Sequence, residues 1–397
     1  MKENYCEQLN AFAKSLGVSD RITFYGEDFC AAITSVAPFS RVAVLYSKNT
    51  FETVGKDFTV SLKNAGVKPL NFIMPTDVTV KLDDILEVIC VPEDVRAIAC
   101  LDSSLIPVSA YLATIFNIPV VFSMRSANTD GVLPVKVPFS FGSSGAEMVK
   151  TACNYHISVD FDNFKNENLA QAYINIVSKR VALADYRANI KVYGKKAQKT
   201  VCDETLSAID AICNYPDALD AKVLAFYGLK AEIANLAVND EIRCNSAFHC
   251  FKMLTAFSED NGQNFAFLQK LTLLYKLCAE NADMPFAVPD YNARVKELSF
   301  ITGLDDGVFL RGFTAQNKVL KSADLTQIKS ALKKEISAAY SAIKKAEKTY
   351  ADLGGKICED FSPYVSALKY CGDLPDALNF MTIVRECGFT ESFSISA

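Results

Sequence analysis

Hydrophobic and polar positions follow two different rhythms along this chain, and the rhythm changes near residues 161–168. Upstream, short apolar runs occur at 41–46 (R-V-A-V-L-Y), 70–74, 97–101 and 119–123 (P-V-V-F-S). Uninterrupted runs of this kind suit strands buried on both faces of a parallel sheet. Helical spacing predicts crossovers between them at 53–65, 82–88 and 108–116, the first closed by Gly66 as a C-terminal signal. A short helix at 3–16, a strand at 22–25 and further strands at 135–141 and 157–161 complete this half, with a turn at 142–145. Such alternation implies a doubly wound, Rossmann-like sheet.

Downstream, apolar residues recur every three or four positions. The clearest case is 170–191, where Ile174, Val177, Val181, Ala184 and Ala188 form one stripe without Gly or Pro. Similar spacing predicts helices at 203–213, 218–239, 263–278, 290–297 and 324–353, and a last one at 376–387. The fold class is therefore an α/β Rossmann-like domain over 1–162 and an all-α domain over 163–397, with a cleft between them.

Composition supports two globular domains in 397 residues, with half the residues hydrophobic and 22% charged. Net charge is −5 without a long basic run, so nucleic acid is not an expected partner. The densest basic region, 329–348, alternates with Glu335 and Glu347 and reads as the solvated face of an amphipathic helix. Thirteen scattered cysteines without a C-x-x-C pair read as reduced thiols, with Cys100, Cys153, Cys213 and Cys278 as small core residues. The N-terminus has no apolar secretion core and no run of 18 uncharged apolar residues occurs. The expectation is a soluble cytoplasmic protein with no membrane partner.

The segment Ser178 to Arg187, S-K-R-V-A-L-A-D-Y-R, resembles a helix of the glycerol-1-phosphate dehydrogenases and their superfamily, the iron-containing alcohol dehydrogenases and dehydroquinate synthases. Further segments resemble that family in order along the chain. S-K-N-T-F-E-T-V-G (47–55) matches a D-x-N-T…G segment at Asn49, Thr50 and Gly55, with Ser47 where the family's ribose-binding Asp stands. At 118–134, Asp130 and Gly131 match the family's D-G pair, Asn128 stands for Ser, and Ser123-Met124 for Pro-Thr. The resemblance implies the two-domain fold, an NAD(P) cofactor, a divalent zinc, iron or nickel ion, and roles for Asp130 and Lys179 at the catalytic centre.

The same resemblance locates the replacements. The family's G-G-G-x-x-x-D-x-x-K phosphate segment is here L-D-S-S-L-I-P-V-S-A (101–110): Leu101, Asp102 and Ser103 replace the glycines, Pro107 the Asp and Ala110 the Lys. The positions of the metal ligands fall on Asn175, His249 and Asn261. Side chains would crowd a pyrophosphate, Asp102 would repel it, and one imidazole with two amides supplies no anionic donor for zinc or iron. His156, the other histidine, is expected at a strand end or surface.

The implied function is a diverged member that lacks the ancestral cofactor and metal chemistry, a pseudoenzyme or a binder of a small molecule in the cleft, with a homo-oligomer possible in either case. The competing expectation is a working oxidoreductase whose rebuilt site uses Asp102, Asp130, Lys179 and His249. A third is a purely structural subunit of an oligomer.

Overall fold

The computed structural model describes residues 4–26, 28–74, 91–129, 131–140, 146–193, 198–237 and 325–356, together with Phe265, Leu268, Gln269, Thr272, Lys276, Asn292 and Lys296. The chain divides into two compact units, Met1–Glu167 and Asn168–Ala397.

In the first unit the apolar runs become strands β1 (Ile22–Tyr25), β2 (Arg41–Ser47), β3 (Lys68–Met74), β4 (Val95–Cys100), β5 (Val120–Met124) and β8 (Tyr155–Val159). They form one sheet in the order β1-β8-β5-β4-β2-β3, parallel at every pairing. Strands β6 (Lys136–Ser140) and β7 (Ala146–Lys150) form a separate antiparallel pair. Among the described residues the helices of this unit are α1 (Tyr5–Ser15), α2 (Phe29–Val36), α3 (Lys48–Thr50), α4 (Lys56–Asn64) and α5 (Ile106–Phe116). Between α3 and α4 lies a single wide π turn, Phe51–Gly55.

Burial explains why the continuous runs were needed. Val42, Val44 and Tyr46 of β2 and Ala97 and Ala99 of β4 share one core with Phe29, Ala32 and Ile33 of α2 and Leu62 of α4. Their neighbours in sequence, Ala43, Leu45, Ile98 and Cys100, are also fully buried, while α5 packs against β4 and β5. A strand sandwiched in this way has no polar face to display. At Gly55 close packing removes the choice of residue: an added Cβ would lie 2.8 Å from the Phe51 ring and 3.1 Å from that of Tyr46.

Helix α2 and strand β7 are elements that the pattern did not announce. Asp28 caps α2 by accepting a hydrogen bond from the Ala31 N–H at 3.0 Å. The predicted helix at 53–65 begins earlier, at Lys48, because Ser47 caps it and the π turn carries the helix on to α4. Gly66 ends it at a φ of 83°. The expected helices at 82–88 and 376–387 and the turn at 142–145 lie outside the described residues.

In the second unit the 170–191 stripe is one 25-residue helix, α6 (Leu169–Tyr193). It is followed by α7 (Lys199–Cys213), α8 (Ala221–Ala237) and α9 (Leu325–Asp352). Helix α6 packs on α7, α8 and α9, with Ile174, Val177, Val181 and Ala184 buried. Among the described residues no helix is long and apolar enough to cross a membrane.

Candidate functional site

Strand order decides where the α/β unit can hold a ligand. The chain runs outward from β2 to β3, then returns to place β4 on the other side of β2. Order therefore reverses between β2 and β4, and in open parallel sheets ligands bind beyond the carboxyl ends of the strands at such a point. The residues there are Ser47 at the end of β2, Thr50 just beyond it, and Leu101, Asp102 and Ser103 after β4.

Asp102 occupies this position with its own carboxylate. It accepts hydrogen bonds from the Ser47 N–H at 2.8 Å, the Ser47 hydroxyl at 3.1 Å and the Thr50 hydroxyl at 2.5 Å. Ser47 Oγ in turn caps the helix, accepting from the Thr50 N–H at 3.2 Å. A helix start favours a negative charge because its first N–H groups lack intrahelical partners. Here that charge comes from the chain itself. The Cys100 thiol donates to the Asp102 carbonyl at 2.9 Å, and burial pushes this thiol up to about 12.

The rest of the β4 loop is filled. Leu101 belongs to the core beneath α2 and α4, and Leu105 is fully buried. The backbone of Asp102 closes a 3-10 turn over Ser103–Leu105, with the Leu105 N–H donating to the Asp102 carbonyl at 3.0 Å. Of the three side chains standing where the resemblance places glycines, one is core, one is the carboxylate tie, and Ser103 is exposed.

The second unit holds a charged pair in its interior. Lys179 of α6 donates to Glu232 Oε1 of α8 at 2.5 Å, and both residues are only 6% exposed. Glu232 was not singled out from the sequence. Its signal was a lone acid between Ala231 and Ile233, on a helix whose polar residues otherwise fall at its half-buried positions. One turn before Lys179, the Asn175 Oδ1 accepts from Gln171 Nε2 at 2.9 Å. Among the described residues no group of three or more His, Cys, Asp or Glu could hold a metal ion. His249, Asn261 and Asp130 lie outside the described residues, so Asn175 and Lys179 are the members of the expected catalytic and metal positions that are placed. Arg187 pairs with Glu335 of α9.

His156, expected at a strand end or surface, is half-buried as the second residue of β8. Strand β8 starts two residues before the expected 157, at Tyr155, and places His156 between Thr23 of β1 and Val121 of β5. The Tyr25 hydroxyl meets its Nδ1 at 3.0 Å, and burial holds the imidazole below its ordinary pKa. Of the expected core cysteines, Cys100 and Cys153 are buried and Cys213 is half-buried, 3.9 Å from the Tyr173 hydroxyl. Cys278 lies outside the described residues.

No family model matches the sequence, and no curated protein matches it by sequence. Solved structures do match by fold. A probable glycerol dehydrogenase from Sinorhizobium meliloti 1021 is 13% identical, with 95% of this chain and 97% of that one covered and a TM-score of 0.52. The NADH-dependent butanol dehydrogenase A from Thermotoga maritima is also 13% identical, with 93% and 96% covered and a TM-score of 0.51. A parallel α/β domain followed by a helical domain, matched over nearly the full length of both, gives this chain the fold of that probable glycerol dehydrogenase and that butanol dehydrogenase.

Proposed function

We propose that this chain is a diverged relative of those dehydrogenases that has given up NAD(P)- and metal-dependent hydride transfer and works as a small-molecule binder on the inherited scaffold. The observation that carries this reading is the Asp102 tie. A dinucleotide needs bare backbone and free N–H groups where its pyrophosphate meets the protein. Here the Ser47 N–H and two hydroxyls already serve the Asp102 carboxylate, and Leu101 is locked into the core. A phosphate oxygen about 4 Å from that carboxylate would meet a repulsion of about 4 kcal/mol at the effective dielectric of a protein surface. The residues present do not fit the cofactor.

They do not fit the metal either. The amide oxygen of Asn175 is neutral and engaged by Gln171. The ammonium of Lys179 lies one helical turn away, with its nearest carboxylate, Glu232, committed to it. Zinc, iron and nickel favour imidazole, thiolate or carboxylate donors, which neutralise the ion as well as coordinate it.

Calorimetric titration of the purified protein with NADH and NADPH, alongside elemental analysis for zinc, iron and nickel, tests the proposal. No saturable cofactor binding below millimolar concentration and substoichiometric metal are expected. Micromolar affinity for either nucleotide with one metal ion per chain would overturn it.

The second reading, a working oxidoreductase with a rebuilt site, is favoured by the buried Lys179–Glu232 pair, since enclosed ionisable pairs concentrate at catalytic centres. It requires nucleotide oxidation that Lys179→Met abolishes while the protein stays folded.

A further inference from the structure

Helix α9 carries a surface that its sequence conceals. The acids that interrupt its lysine-rich stretch, Glu335 and Glu347, both turn inward. Glu335 pairs with Arg187 of α6, and Glu347 accepts from Gln269 Nε2 at 2.8 Å. They fall on the flanks of the apolar stripe Ile336, Ala339, Ile343, Ala346 and Tyr350, which is buried. Between Lys333 and Lys348 the exposed charged side chains are all basic, with the exposed Asp352 one turn beyond. Lys333, Lys334, Lys344, Lys345 and Lys348 are all exposed, with none in an ion pair among the described residues.

Helical geometry turns these lysines into a ridge. At 100° per residue they share an arc of about 120°, and Lys333 to Lys348 spans about 22 Å. The exposed Ser341 lies within the same arc. Positive charges crowded on one face repel each other, and on the exposed face of their own helix Asp352, four residues beyond Lys348, offsets one end of the row.

We propose that this ridge docks an acidic segment of a partner protein, rich in Asp and Glu and long enough to lie along about 22 Å, or about seven extended residues. The choice among polyanions follows from what the ridge presents: a row of compact lysine ammonium groups, each a point charge that a single side-chain carboxylate can meet. The ridge also offers no exposed aromatic or apolar residue for base stacking or membrane insertion, and no arginine for bidentate phosphate contact.

The test uses the full chain and a fluorescein-labelled decaglutamate peptide, read by anisotropy at about 50 mM and 150 mM salt. One variant changes Lys333, Lys334, Lys344, Lys345 and Lys348 to Gln. A charge-matched control changes the exposed Lys14, Lys56, Lys63, Lys68 and Lys150 to Gln. The ridge variant is expected to weaken binding by about tenfold or more, the control by less than about threefold. Circular dichroism establishes that both remain helical, and the single reversal Lys345→Glu serves if the fivefold variant unfolds. Equal loss in the two variants, or no binding by the native chain, would overturn the proposal. So would tighter, ridge-dependent binding to a 20-base-pair duplex or to phosphatidylserine vesicles at the same salt.

Discussion

Replacing Asp102 by Ala removes the acceptor of three hydrogen bonds at once, from the Ser47 N–H, the Ser47 hydroxyl and the Thr50 hydroxyl. Buried hydrogen bonds to a charged group contribute about 1.5–3 kcal/mol each. Ser47, Thr50 and Asp102 are only half-buried, so water can reach the abandoned donors and the net loss is smaller, about 2 kcal/mol for the set. The loss is local, because the tie holds the start of α3 and the π turn to the end of β4 while the strands keep their own ladder. Amide exchange is therefore the right assay. A 2 kcal/mol loss speeds opening by about thirtyfold, to be read in peptides covering 47–55, with β1 peptides as the unaffected reference. Asp102→Asn keeps one acceptor and should fall between the two. Exchange within twofold of native at 47–55 in the Ala variant would show that the carboxylate does not hold this helix start, and the argument that it fills the phosphate position would go with it.

The Lys179–Glu232 pair predicts a non-additive cycle. Lys179→Met or Glu232→Gln strands a buried group and should cost about 3–5 kcal/mol in chemical denaturation, whereas the double change to Met and Leu should cost less than either; additive losses would refute a coupled pair. His156 predicts a pH dependence, since burial lowers its pKa from 6.5. Below about pH 6.5 the unfolded chain binds a proton that the folded chain still refuses, so this contribution to stability declines as pH falls and levels off once the folded imidazole is also protonated. His156→Gln should flatten the profile between pH 7.5 and 5, and an unchanged slope would exclude the residue. Burial pushes the Cys100 thiol up to about 12. It should resist a disulfide reagent at pH 8 in the native protein and react on unfolding, and native-state labelling would contradict its enclosure.

The architecture was legible because its signal is physical and local. Strands β2, β4 and β5 are enclosed on both faces and read as unbroken apolar runs, and α6 repeats one stripe for 25 residues. Helix α2 escaped notice because its mean composition, F-C-A-A-I-T-S-V, lacks a polar rhythm; a cap at Asp28 and packing on β5 and β8 define it instead. The candidate site was half legible. Replacement of glycines at Leu101 to Ser103 was visible in the sequence, but not that Asp102 reaches across to Ser47, because a contact over 55 residues is set by strand order. Glu232 and the inward turn of Glu335 and Glu347 are likewise tertiary facts. A helix sequence gives the angle of each residue, but only its neighbours decide which charges are neutralised.

The pairing of β1 with β8 constrains how this protein is born. Ile22 lies opposite Tyr155, about 130 residues later, and among the described residues β8 is the neighbour on which β1 completes its ladder. At roughly 5–20 residues per second, a ribosome leaves that first strand waiting about 7–26 seconds for its partner. Throughout that interval the nascent chain exposes an unmatched apolar edge, and fragments ending before Tyr155 should need a chaperone to stay dispersed.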